Sequence, residues 1–211
     1  MDPRTERTSS ALRAAVLELA SQQDIDELTV SQVAAHAGIN RATFYDHASS
    51  PADLLTSILR TELDEIRSDF LTAAQGLPPA PATGPDAPPR TDPRQLVDTI
   101  TQALVGHVDA HTEIYERALQ GGLSASLFRL LAEHFSETLR TFLLERPHLM
   151  PLACDADQSD VEQAARAYAC YVALGSVGAL EAWLATPAPR DPGFFPRITR
   201  TSLAPWWTAP N

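Results

Sequence analysis

Apolar residues recur at steps of three and four along most of the chain, the spacing that lines one face of an α-helix. Leu12, Ala15, Val16, Leu19 and Ala20 make one such stripe within residues 5–22. Val30, Val33, Ala34 and Ala37 make a shorter one. Leu55, Ile58, Leu59, Leu63, Ile66 and Phe70 predict a longer helix over 51–75. Leu96, Ile100, Leu104, Val105 and Val108 restart the pattern within 92–120, with a break near His111. Leu127, Leu130, Leu131, Phe135, Leu139, Phe142 and Leu143 form the strongest stripe, within 124–146, and Pro147 and Pro151 end it. A long helix opened by Asp157 or Ser159 reaches about Ala185, and a short one lies within 191–203. The pattern predicts an all-α fold.

Local chemistry sets several boundaries. Thr29 and Asn40 are capping residues, whose side-chain oxygens accept from free N–H groups of a first helical turn. Gly38 suits the left-handed conformation that closes a helix. Ser50, Pro51 and Asp53 open the next helix, with Ser50 as cap, Pro51 in the first turn and Asp53 completing a capping box. Residues 76–93 hold Pro78, Pro79, Pro81, Pro85, Pro88 and Pro89, too many for helix or central strand, and are expected to form an extended loop.

The caps at Thr29 and Asn40, with the Gly38-Ile39 turn between them, define two short helices at helix-turn-helix spacing. Such a unit places the N-terminal residues of its second helix in the DNA major groove. The run Thr29-Val30-x-x-Val33-Ala34-x-x-Ala37-Gly38-Ile39-x-x-x-Thr43-Phe44-Tyr45-x-His47 resembles the TetR family of transcriptional regulators. The resemblance implies a three-helix DNA-binding head over 1–50. It implies a helical-bundle body over 51–211 that binds a small-molecule effector and pairs with a second copy through its last helices. The helix after the head would carry the effector signal, and the chain would act as a homodimeric repressor on a palindromic double-stranded DNA operator. The family usually has an aromatic residue after the His and a Lys at the start of the next helix; here Ala48 and Pro51 stand there.

The DNA-facing candidates are Thr29, Asn40, Arg41, Thr43, Tyr45 and His47. Arg bonds guanine bidentately, Asn bonds adenine, and Thr meets a thymine methyl. Tyr45 and His47 resemble the family's phosphate-contacting pair, and such contacts fix register without reading sequence. Phe44 is expected to pack beneath its own helix. Arg4 and Arg7 are placed for a backbone or minor-groove contact.

Charge weighs against this picture. The net charge is −11, and all 16 basic residues are Arg. Since DNA affinity draws on neutralised phosphates, an acidic chain is expected to show weak non-specific binding. A rival expectation is a helical protein that keeps the fold, has lost operator binding and acts as a partner-binding or ligand-sequestering module.

For an effector pocket the candidates are His107, His111, Tyr115, Phe128, His134, Phe135, Tyr168 and Tyr171, aromatic and polar residues of the body helices. His107 and His111 share a helix face at i, i+4 and could ligate a metal if folding brought in a third ligand such as Glu113 or His134. Neither a metal centre nor a cofactor is expected. No phosphate loop, metal-spaced Cys pair or Ser nucleophile turn is present, so the chain does not read as an enzyme. Cys154 and Cys170 form no disulfide framework and are expected to be buried or half-buried. No stretch approaches about 20 uninterrupted apolar residues, and residues 1–7 lack a signal-peptide core. A cytoplasmic protein without a membrane partner is expected.

Overall fold

The computed structural model describes residues 3–75, 93–119, 124–153 and 157–202. The described residues are helical and hold no strand. The helices are α1 (Pro3–Gln22), α2 (Val30–His36), α3 (Arg41–Tyr45), α4 (Pro51–Gln75), α5 (Pro93–Ala110), α6 (Thr112–Ala118), α7 (Ala125–Leu144), α8 (Gln158–Leu184) and α9 (Phe194–Ser202). The expected Pro-rich loop lies outside the described residues, apart from Pro93 at the start of α5, and so does Cys154.

The chain forms two compact units, residues 1–62 with 107–130 and residues 63–106 with 131–211. This division differs from a boundary between residues 50 and 51, because α4, α5 and α7 each contribute residues to both units.

In the first unit α1 packs on α2 and α6. Its core holds Leu12, Val16, Val33, Phe44, Leu55, Leu59, Tyr115 and Leu127, all fully buried. The short helices are set by their caps. Thr29 and Gln32 form a reciprocal capping box on α2, in which the Thr29 N–H donates to Gln32 Oε1 at 2.9 Å and the Gln32 N–H to Thr29 Oγ1 at 3.3 Å. Gly38 takes φ +67°, where a Cβ would be strained, and this lets the chain reverse between α2 and α3. On α4 the Asp53 N–H donates to Ser50 Oγ at 3.0 Å, so Ser50 is the cap. The return bond differs from a strict capping box: Asp53 Oδ2 accepts from the N–H and hydroxyl of Ser49, one residue earlier.

In the second unit Phe70, Ala74, Leu96, Val97, Phe142, Leu143, Met150, Ala164, Ala165 and Ala169 form a continuous core. Arg146 is buried beneath it. Its Nη2 donates to the Ala74 carbonyl at 2.5 Å, serving the end of α4, while its guanidinium lies over the Phe142 ring at 4.7 Å. α9 packs against α8. By length and hydropathy α8 would be able to cross a membrane, yet it seats Ala173, Val177, Leu180 and Trp183 in the core of this unit. Its other face is solvent-exposed: Tyr171 is 79 % and Leu174 45 % exposed, with Gly175 and Gly178 beside them. Cys170 is on that face and exposed, contrary to the expectation of burial, because the small residues of α8 occupy both faces.

Candidate nucleic-acid interface

The second helix of the helix-turn-helix is five residues long, too short to be stable alone. Two anchors hold it. The Asn40 side-chain oxygen accepts from the Thr43 N–H at 2.8 Å, and Phe44 is fully buried. Arg41, Ala42 and Tyr45 are thereby left exposed on the outer side, with Thr43 half-buried. The Tyr45 ring meets Phe44 edge-on at 5.9 Å and 89° and is itself 53 % exposed, so its hydroxyl end stays in solvent. His47 is half-buried, and its Nδ1 lies 3.4 Å from Ser9 Oγ of α1.

Arg41 and Tyr45, at i and i+4, share the exposed side of α3, while Thr43 is half-buried and His47 follows just after the helix. Thr29 and Asn40 are committed differently: their side-chain oxygens are occupied as caps, so Asn40 retains only its amide N–H₂ for a base edge and Thr29 is first a structural residue. One basic residue each of α1 and α2 is tied to an acid: His36 Nε2 of α2 lies 2.9 Å from Glu18 Oε2, and Arg13 Nη2 of α1 lies 2.5 Å from Glu62 Oε1. Arg41 makes no ion pair among the described residues.

The effector candidates separate into distinct places. His134 and Phe135 line a partly open cavity in the second unit, walled by residues of α4, α5, α7, α8 and α9. Its wall is mostly apolar, from Ile66, Phe70, Val97, Leu104, Leu139 and Phe195 among others. Arg67, Thr101, Thr138, Ser176 and Thr199, absent from the sequence-based candidates, add polar groups. Thr199 Oγ1 is buried without a hydrogen-bond partner among the described residues. His134 is buried beside the cavity, and its Nδ1 stands 3.6 Å from Asp64 Oδ1. Tyr168 packs on the hydrophobic core of this unit, Tyr171 is on the exposed face of α8, and Phe128 is 39 % exposed.

His107, His111 and Tyr115 belong to the first unit and gather around Glu62. Glu62 Oε2 lies 3.2 Å from His107 Nδ1 and 2.6 Å from His111 Nε2. The far nitrogen of His107, Nε2, is 3.1 Å from the Tyr115 hydroxyl. The third residue at the histidine pair is therefore Glu62; neither Glu113 nor His134 fills that role, since Glu113 is exposed and His134 faces the cavity. Glu62 was missed because it is 45 residues away in sequence and carries no local signal. Burial pushes its carboxyl up, but hydrogen bonds from His111 and Arg13 outweigh it and hold the carboxyl below its ordinary range. Burial, with the Glu62 charge added, pushes the Tyr115 phenol well above its usual value and keeps it protonated.

Residues 12–58 match the family model described as bacterial regulatory proteins, tetR family. Over 75 residues the chain is 40 % identical to an uncharacterized HTH-type transcriptional regulator, YxbF, of Bacillus subtilis (strain 168), a match that covers 35 % of this chain and about a fifth of that relative's length. Two solved structures share the fold across nearly all of the chain. A putative TetR-family transcriptional regulator from Rhodococcus sp. is 14 % identical with a TM-score of 0.51, covering 93 % of this chain and 96 % of that one. A tetR-family transcriptional regulator from Streptomyces coelicolor is 18 % identical with a TM-score of 0.50, covering 93 % and 77 %.

Proposed function

Since the chain belongs to the TetR family of transcriptional regulators, we propose that it binds an operator in double-stranded DNA as a homodimer, represses transcription there and is released by a small molecule. It is a regulator and not an enzyme, and its place is the cytoplasm. The observation that carries this is the patch on α3: Phe44 and the Asn40 cap lock a five-residue helix so that Arg41 and Tyr45 face solvent together. Arg41 and Thr43 read base edges in the major groove. Tyr45 and His47 hold phosphates.

Residues 1–50 act as the DNA-binding head and 51–211 as the effector-binding and dimerising body. The exposed apolar face of α8, with Phe194 and Ile198 of α9 at 38 % and 36 % exposure, supports pairing with a second copy. The cavity of the second unit supports an apolar effector with one hydrogen-bonding group, because Thr199 Oγ1 is otherwise orphaned there. Release requires only that the effector bind the non-DNA shape of the dimer more tightly than the DNA-bound one.

A second reading is favoured by the net charge of −11 and by the pairing of Arg13 and His36 with acids: a helical module that binds a partner or ligand without DNA. Fluorescence anisotropy against labelled DNA from upstream of the chain's own gene, at several salt concentrations, separates the two. The repressor reading expects saturable, competitor-resistant binding of one dimer per site with a shallow salt slope. Flat titrations at low salt, repeated with neighbouring intergenic fragments, would overturn it in favour of the module.

A further inference from the structure

We propose that Glu62, His107 and His111 form a binding site for a divalent transition-metal ion, with zinc as its reference occupant. Glu62 of α4, His107 of α5 and His111 at the junction of α5 and α6 each offer one donor atom, and these atoms lie within 4.8 Å of one another. Zinc holds imidazole nitrogen and carboxylate oxygen at about 2.0–2.2 Å in a tetrahedral shell, which separates neighbouring ligand atoms by about 3.3 Å. His107 Nδ1 and Glu62 Oε2 already stand 3.2 Å apart. His111 Nε2, at 2.6 Å from the same oxygen, has to back away by roughly 0.7 Å to reach that spacing, within reach of a small side-chain rotation.

The surroundings are those of a ligand set. A metal-bound histidine usually gives its second ring N–H to a polar partner, which fixes tautomer and ring orientation. The Tyr115 hydroxyl, 3.1 Å from His107 Nε2, supplies that partner and so turns Nδ1 toward Glu62. Arg13 takes the other carboxylate oxygen, Oε1, and leaves Oε2 for the ion. The side chains of His107 and His111 are 4 % and 13 % exposed and that of Glu62 26 %, so the group is sheltered but open on the carboxylate side. Two imidazoles and one carboxylate suit zinc, cobalt, nickel or copper; calcium and magnesium prefer all-oxygen shells. An ion here would tie α4 to α5 inside the unit that holds the helix-turn-helix. The proposal does not depend on DNA binding.

The test uses the full chain without a polyhistidine tag, stripped with a chelator and titrated with zinc chloride by calorimetry. Cobalt is the spectroscopic probe. Wild type is expected to take one ion per chain and to give the intense visible bands of tetrahedral cobalt. The isosteric E62Q variant and H111A should each weaken zinc binding at least tenfold and lose those bands, and H36A, which alters a separate histidine–glutamate pair, should change neither. Circular dichroism establishes that each variant is folded, and E62Q, which keeps the shape of the cluster, carries the test if H111A does not fold. Absence of zinc binding to wild type, or binding that E62Q leaves within twofold of wild type, would overturn the site and leave the cluster as a hydrogen-bonded network of two histidines on one carboxylate.

Discussion

The helix-turn-helix and the cavity of the second unit are built on opposite plans. α2 and α3 are seven and five residues long, and each is held by a cap, a glycine turn or a single buried ring close by in sequence. The cavity draws its wall from five helices, with Ile66 and Thr199 more than a hundred residues apart. A surface for DNA needs a few side chains at fixed small offsets on one rigid turn. An enclosure for a small molecule needs several long helices whose inner faces fail to fill the space between them. The first can be damaged at one residue, whereas the second is tuned at many.

The largest expected effect follows from that concentration. Phe44→Ala removes the one fully buried ring that anchors α3 and should destabilise the chain by about 3–5 kcal/mol, measured by chemical denaturation. A loss under about 1 kcal/mol would show that the caps alone hold the helix.

Arg41→Ala leaves the fold intact, because the side chain is exposed, and should weaken operator binding by about 1–3 kcal/mol and relax preference at one base pair. Equal affinity of this variant across a panel of operator substitutions would remove Arg41 from the base-reading set.

In the cavity the sign is reversed. Thr199→Val replaces an unpartnered buried hydroxyl with a methyl group of similar shape, so without effector the chain should become more stable by about 1 kcal/mol, read as a raised denaturation midpoint. A destabilised variant would mean that the hydroxyl already has a partner. Effector affinity should fall in the same variant, which would place the hydrogen-bonding end of the small molecule at Thr199.

The two regions were unequally legible in the sequence. Thr29, Gly38 and Asn40 announce their roles within a dozen residues, since caps and turns are local hydrogen-bonding and dihedral choices. The periodic stripes of α4, α7 and α8 were equally plain, and the break at His111 appears as the junction of α5 and α6. Which stripe residues would line a cavity was not plain. His134 and Phe135 do, but Tyr171, chosen for the same aromatic character, is on the exposed face of α8.

The sequence by itself determined the helices, their caps and the helix-turn-helix with its outward Arg41 and Tyr45, because each depends on neighbours within about one helical turn. Only the tertiary structure decided which helix faces meet. It brought Glu62 to a histidine pair 45 residues further on, left Thr199 facing a cavity and turned Cys170 outward. Period and composition define a face but not its partner. The choice among partners is made by the summed packing of all the helices, and no local pattern contains that sum.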